Sequence, residues 1–358
     1  MDNKTLPNRS VKQLFTRLLV SEYFILVLSV VYFLVISIFR PKMMNPANIY
    51  NIFYNMCPLL AVCLGQTFVL LLGGIDLSQT AVISFCSTAA GILLGSKFEA
   101  IKFGTTPIWG KLISENGGML SRMPEAAGTI LTVVLVLAIG ALIGAVNGLL
   151  ISKMNMPPFM VTLISEMLWS AIALWLVSSS NCTGLNASFC ELGKGKIGGA
   201  FPVSAVIVLV LLVGCEFLLS KTLLGKWVYS VGANPRAARV SGIPKNKIIV
   251  IAYTLSGFFA AVGSILYTGR QQMGRPTLGD GMLNDVLGAT VIGGVSMYGG
   301  KGKAVWALFG TFFYCIMTTS MNMLRLNSFV VQVVKGCIIL FAVSLDVVRI
   351  RLQKKITK

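Results

Sequence analysis

Apolar runs of similar length follow one another along this 358-residue chain, separated by short polar connectors. A hydrocarbon core ~30 Å thick takes about 20 helical residues to cross, so runs of that length predict membrane-spanning helices. About ten such runs occur: 22–39, 48–73, 77–95, 128–152, 159–178, 202–219, 248–269, 284–298, 304–324 and 328–348. The eighth is short and holds Gly288, Gly293 and Gly294, so it is expected to be re-entrant or broken. The pattern predicts an all-α, polytopic helical bundle forming one domain over 1–358.

Charge orients the bundle. Lys4, Arg9, Lys12 and Arg17 precede the first run, and Arg40-Pro41 follows it in place of a small-residue cleavage site. That is a first span with its N-terminus inside. The tail 349–358 carries Arg349, Arg351, Lys354, Lys355 and Lys358, and is expected inside too. Two cytoplasmic termini need an even number of spans. Residues 153–158 and 220–247 then lie inside, while 96–127, 179–201 and Arg270–Asp280 lie outside. Arg270 and Arg275 run against the charge rule there.

Composition agrees with the pattern. The chain is 55% hydrophobic and 12% charged, against about a quarter charged in soluble domains. In a soluble protein the net charge of +18 would point to nucleic acid. Here it reads as cationic cytoplasmic loops and tails, with no nucleic-acid partner. The absence of histidine removes the commonest metal ligand and proton shuttle, and no metal or catalytic constellation is expected. Most cysteines sit in apolar runs as small buried hydrophobes. Cys182 and Cys190 share a polar loop expected outside, where their spacing permits a disulfide without deciding it.

The connector Ser220–Lys247 holds Lys221, Lys226, Arg236, Arg239, Lys245 and Lys247 with no acid. Within it, Asn234 suits an N-cap and Pro235 the first helical position. Gly242 suits the left-handed position that ends a helix, and Pro244 stops continuation. A short capped helix bearing Arg236 and Arg239 on one face is predicted, as a docking surface for a cytosolic partner. No phosphate-binding Gly-x-x-x-x-Gly-Lys-Ser/Thr occurs, so the energy for any active transport must come from elsewhere.

Polar groups inside the runs mark candidate sites. Glu166 shares a helical face with Thr162 and Ser170 beside Trp169, which would suit a sugar path. Pairing with another helix, or protonation, is the alternative. Asn55, Gln66 and Asn147 are candidates for the same path, or for bonding helices to each other. Gly73-Gly74-Ile-Asp76-Leu-Ser78 reads as a helix break, with Asp76 or Ser78 capping the next helix. The stretch Leu72–Ser78 is echoed by Ile292–Tyr298, with Gly293 and Gly294 matching Gly73 and Gly74. Chance or an internal repeat accounts for it.

The stretch Gly65-Gln-Thr-Phe-Val-Leu-Leu-Leu-Gly-Gly-Ile-Asp-Leu-Ser78 resembles a signature of the ribose/xylose/arabinose-type permeases of bacterial ABC importers. So do Gly144-Ala-Val-Asn-Gly148, Phe159-Met-Val-Thr-Leu163, Gly232–Ile243 and Ile292–Gly302. The chain departs from that pattern at four places. Gln79-Thr80 stands where Val-Gly is frequent, and Leu283 where an acid often precedes the Asp285 position by two. Glu166 replaces a usual Met or Thr, and the loop 96–127 is longer. The resemblance implies an inner-membrane permease that imports a monosaccharide or a related small polar solute and has no ATPase site or cofactor of its own. Its partners would be an ABC ATPase, an extracytoplasmic sugar-binding protein and a second permease copy or paralogue, within membrane lipid. A secondary, ion-coupled transporter using Glu166 and Asp76 is the competing class.

Overall fold

The computed structural model describes residues 23–199 and 201–356, with side chains as far as 344. Expectations for 1–21, and for the side chains of 349–358, lie outside the described residues.

Among the described residues, six helices are long and apolar enough to cross a membrane. They are α2 (Pro46–Leu71), α5 (Glu125–Lys153), α6 (Pro158–Leu176), α8 (Val203–Lys221), α11 (Lys245–Gln271) and α13 (Ala304–Met323). Shorter apolar helices join them: α1 (Phe24–Phe39), α3 (Gln79–Leu94), α12 (Met282–Gly293) and the first part of α14 (Ser328–Ile356). Helices α4 (Ala100–Phe103) and α7 (Ala187–Lys194) lie in connectors at one end of the bundle. At the opposite end lie α9 (Leu223–Ala233) and α10 (Pro235–Val240). Strand structure among the described residues amounts to three two-stranded ladders, each strand two residues long. The fold is an all-α membrane bundle.

Burial sorts the helices into layers. In α2, 89% of the most apolar window is buried inside the protein, and in α11 67%. In α5, α6 and α8 the share is 33%, 22% and 28%, so most of their surface lies outside this chain's own core. Lipid is as apolar as leucine, so close packing rather than water exclusion must hold such helices together. The α5–α11 contact shows how. Gly140, Gly144 and Gly148 recur every fourth residue, and a Cβ on Gly144 would stand 2.1 Å from the Tyr253 carbonyl. A Cβ on Gly257 would stand 2.0 Å from the Gly140 carbonyl. Glycine on both faces lets the two backbones touch.

The structure sharpens one sequence expectation and revises another. The eighth run is not a full-length helix: α12 has 12 residues and ends at left-handed Gly294 (φ 107°). At 1.5 Å per residue it covers roughly 18 Å, far short of the ~30 Å of hydrocarbon. It is a half-helix, as its glycines suggested. The revision concerns the segment Arg270–Asp280, expected as an outside loop. From Gly274 to Gly281 the chain runs along α3, with Gly274 against Gly91 and Gly279 against Thr80. Hydroxyls of α3 satisfy its backbone, Ser87 accepting from Arg275 N (3.0 Å) and Ser84 from Gly279 N (2.9 Å). Irregular backbone survives at membrane depth only when protein satisfies it in this way. The two arginines therefore sit on the bundle itself, with Arg270 stacked over the Tyr54 ring at 4.4 Å.

Candidate functional site

Helix α2 ends where two glycines allow it. Gly73 takes φ +74°, a conformation that costs glycine little and other residues more. The chain then runs without helix to Ser78, where α3 begins. The predicted cap is corrected in detail. Ser78 occupies the N-cap position without capping; instead Asp76 Oδ1 accepts from the Ser78 N–H (3.0 Å) and hydroxyl (2.6 Å). Asp76 Oδ2 accepts from the Ser256 hydroxyl of α11 at 2.6 Å. Gln79 Nε2 donates to Ser256 Oγ (2.8 Å), and Asn147 Nδ2 of α5 donates to Ser78 Oγ (2.9 Å). Asp76 is 1% exposed. A buried carboxylate is tolerable only when donors surround it, and here neutral donors from α11 and from the break itself supply them. The network ties the break to α5 and α11.

An open cavity of about 390 Å³ adjoins this network, within the range of small-molecule sites, about 300–1,000 Å³. Leu77 and Thr80 line it from the break, Leu163 and Glu166 from α6. Gly279, Asp280, Gly281, Leu283 and Asn284 line it from the start of α12. Two carboxylates, an amide and a hydroxyl face the space, and no cation does. Such a lining offers many acceptors for polyol hydroxyls and repels anions.

The break also meets the opposite end of the bundle. Gly73 packs against the Tyr298 carbonyl, and Gly299 (φ +82°) against Gly73 N and the Gly232 carbonyl. Leu71 O accepts from Gly300 N at 2.8 Å. A Cβ on Gly232, in α9, would stand 1.8 Å from that same Leu71 oxygen. Tyr229 of α9 donates to Gly302 O at 2.6 Å. Burial, and then the nearby Glu216, push its phenol up to about 12, so it stays a donor. The two echoing glycine stretches thus converge under α9. Helix α10 follows as predicted, with Asn234 Oδ1 accepting from Arg236 N (3.1 Å) and Ala237 N (3.0 Å). Pro235 opens it, and Gly242 is left-handed beyond it. Arg236 and Arg239 are both exposed.

The predicted site residues divide. Of the face Thr162, Glu166, Ser170 and Trp169, Glu166 alone lines the cavity. Thr162 is buried and donates to Pro158 O at 3.0 Å. Trp169 packs on Phe85 with ring centroids 4.8 Å apart. Asn147 bonds helices together, and Asn55 is half-buried away from the cavity lining. Gln66 is fully buried and neither amide atom meets a partner. Gly293 and Gly294 close the half-helix against Trp306. The disulfide is corrected: Cys182 and Cys190 are free, buried thiols. Cys182 belongs to a small cluster with Ile92, Phe98 and Val177, and burial pushes its thiol up to about 12.

Sequence reasoning missed Ser256, Gly232, Asp280 and Asn284 as site residues. A signal for part of the cavity was present. Thr80, Leu283 and Glu166, three departures from the resembled pattern, all line it, and Gln79 stands in the adjoining network.

Broken helices meeting in the bundle, one beside a polar cavity, define a multi-pass membrane transport protein. The chain belongs to the family of branched-chain amino acid transport system permease components, whose model matches residues 48–343. It is 33% identical to the ribose import permease protein RbsC of Bacillus subtilis (strain 168) over 316 residues, 87% of this chain and 88% of the relative. RbsC of Escherichia coli (strain K12) is 28% identical over 344 residues, covering 94% and 97%. The galactose/methyl galactoside import permease protein MglC of the same strain is 31% identical over 321 residues, covering 87% and 90%. No solved structure matches this fold. The chain is a multi-pass inner-membrane permease.

Proposed function

We propose that this chain is the permease subunit of an ABC importer for a monosaccharide or a related small polyol, neutral or cationic rather than anionic. The observation that carries this reading is one continuous path of contact. The cavity shares Leu77 and Thr80 with the break, the break carries Asp76, and Leu71–Gly73 touches α9. Solute occupancy and movement of α9–α10 would therefore act on the same short segment. Relatives named for ribose and galactose import support the solute class. The acidic lining supports exclusion of anions, and the departures at Thr80, Leu283 and Glu166 support a solute preference distinct from theirs.

In this reading the α9–α10 end and both termini are cytoplasmic, and α10 docks a separate ATPase through Arg236 and Arg239. ATP is bound by that ATPase, and the chain itself needs no cofactor. An extracytoplasmic binding protein delivers solute to the opposite end, and two permease copies, identical or paralogous, form the translocating unit. Alternating access then rests on a bistable bundle biased by solute on one side and nucleotide on the other.

The test is solute uptake into vesicles holding the chain with its ATPase and binding protein. Uptake should require ATP. Glu166→Gln should retain part of it and Glu166→Leu should abolish it, with insertion unchanged. Arg236→Glu with Arg239→Glu should remove both ATPase association and uptake. Uptake driven by an ion gradient without the ATPase would overturn the reading in favour of a secondary transporter.

A further inference from the structure

Helix α12 has a left-handed glycine at each end, Gly281 (φ 76°) before it and Gly294 (φ 107°) after it. Glycine turns with little steric resistance, so contacts along its sides, rather than its backbone connections, set where the short helix stands. Its two halves are held differently. The C-terminal half packs backbone to backbone on α13. A Cβ on Gly293 would stand 2.2 Å from the Trp306 carbonyl, and one on Gly310 would stand 2.0 Å from the Ala289 carbonyl. The first turn is held by charge. Lys335 of α14 donates to Asp285 Oδ1 at 2.8 Å, and the Tyr314 hydroxyl of α13 donates to the same oxygen. Lys335 Nζ also lies 5.2 Å from the centre of the Tyr314 ring. One turn along α12, Gly288 makes room for Ile339 of α14, whose Cγ1 would stand 2.9 Å from a Cβ there.

This junction faces away from the solute cavity. Leu283 and Asn284 line the cavity, whereas Asp285 stands about 150° round the helix from their midpoint, at about 100° per residue. Neither Lys335 nor Tyr314 belongs to the lining. Asp285 therefore draws the first turn of α12 toward α13 and α14, and away from α3 and α6, which carry the facing walls. A charged contact suits that task. Either charge left alone inside a membrane bundle is costly, so the pair keeps one separation where an apolar contact would tolerate sliding.

We propose that Lys335 and Tyr314 are positioning residues for the cavity: acting through Asp285, they set where Leu283 and Asn284 stand and hold the space open. The cavity is the solute site in the reading given above, and the role in transport rests on that reading. Loss of the junction lets the first turn of α12 settle toward α3 and α6, which narrows the cavity and shields Asn284.

The test uses the full-length chain in membrane vesicles, carrying Cys337→Ser and Asn284→Cys. The reagent is 2-(trimethylammonium)ethyl methanethiosulfonate, a cation suited to the acidic lining. Cys337 is the exposed native thiol and the other seven are buried, so the introduced thiol dominates the signal. Asp285→Leu with Lys335→Met removes both charges while keeping bulk, a change that buried ion pairs tolerate without loss of stability. Modification should slow about tenfold in that variant, and should return to within about twofold of the starting rate in the charge swap Asp285→Lys with Lys335→Asp. An unchanged rate in the apolar pair would overturn the proposal and leave the ion pair as packing alone. A slowed rate that the swap does not recover would overturn it too, because attraction between the two charges would not be the cause. Tyr314→Phe keeps the ion pair and removes one donor, which covers the case of a pair variant that fails to insert. It should slow modification about threefold, and no slowing there is equally fatal. Wild-type solute uptake is read separately. If it proves independent of ATP while modification behaves as expected, the importer reading fails and the positioning role stands.

Discussion

The two glycine breaks look alike in sequence and do different work. The first, Leu72–Ser78, is fastened sideways: Asp76 and Ser78 bond to Ser256 on α11 and Asn147 on α5, beside the solute cavity. The second, beginning at Gly294, is fastened lengthwise, to α9 through Gly300, Gly232 and Tyr229. They touch each other at Leu71–Gly300 and Gly73–Gly299. A charge placed in one break and glycine turns in the other separate a solute-facing element from a cytosol-facing one.

Gly232→Val strikes both breaks at once and carries the largest expected effect. Its side chain meets backbone atoms of Leu71 and Gly300 rather than a movable side chain. A loss of about 4 kcal/mol or more, seen as a large fall in thermal unfolding temperature in detergent, should accompany complete loss of uptake. A variant of native stability would show that the junction is not a packed contact.

Asp76→Leu tests the first break alone. It leaves the Ser78 N–H and two buried hydroxyls without their acceptor, at a cost of about 1–3 kcal/mol for each unpaired group. Asp76→Asn keeps one acceptor oxygen and should lose roughly half as much. If Leu and Asn prove equally stable, the carboxylate does not organise the break.

Tyr229→Phe tests the second break and carries the smallest effect, about 0.5–1.5 kcal/mol from one lost hydrogen bond. Its phenol is raised from the usual 10 to about 12, so the protonated donor is favoured by folding. That contribution is fully present below the unfolded value near 10 and fades as pH rises through about 12. The stability difference between wild type and Tyr229→Phe should therefore be flat from neutral pH into the mildly alkaline range. A slope within that range would place the hydroxyl in some other contact.

The bundle was legible in the chain wherever local chemistry decides. Apolar runs set the helices, Asn234, Pro235 and Gly242 set α10, and glycines marked α12 as broken. Helix α9 was hidden inside a connector judged by its charge. The carboxylate network was not legible, because Asp76 and Ser256 stand 180 positions apart and only packing unites them. Thr162 and Trp169 were placed on the correct helical face relative to Glu166. Which neighbour that face meets is a tertiary fact: Thr162 donates to Ile75 O at 3.3 Å and Trp169 packs on Phe85. The 272–281 segment defeats sequence reading altogether, since a series of turns bonded to serines has no periodicity.

That segment also constrains how the protein is made. Its backbone donors at Arg275 and Gly279 bond to serines synthesised 188 and 195 residues earlier. Released from the ribosome beside a bare bilayer, such an irregular segment has no stable resting place in hydrocarbon. Synthesis from the N-terminus ensures that α3 is already waiting when it emerges. A chain permuted to begin after α3 would present the acceptors last, and would expose unpaired backbone to the bilayer throughout its assembly.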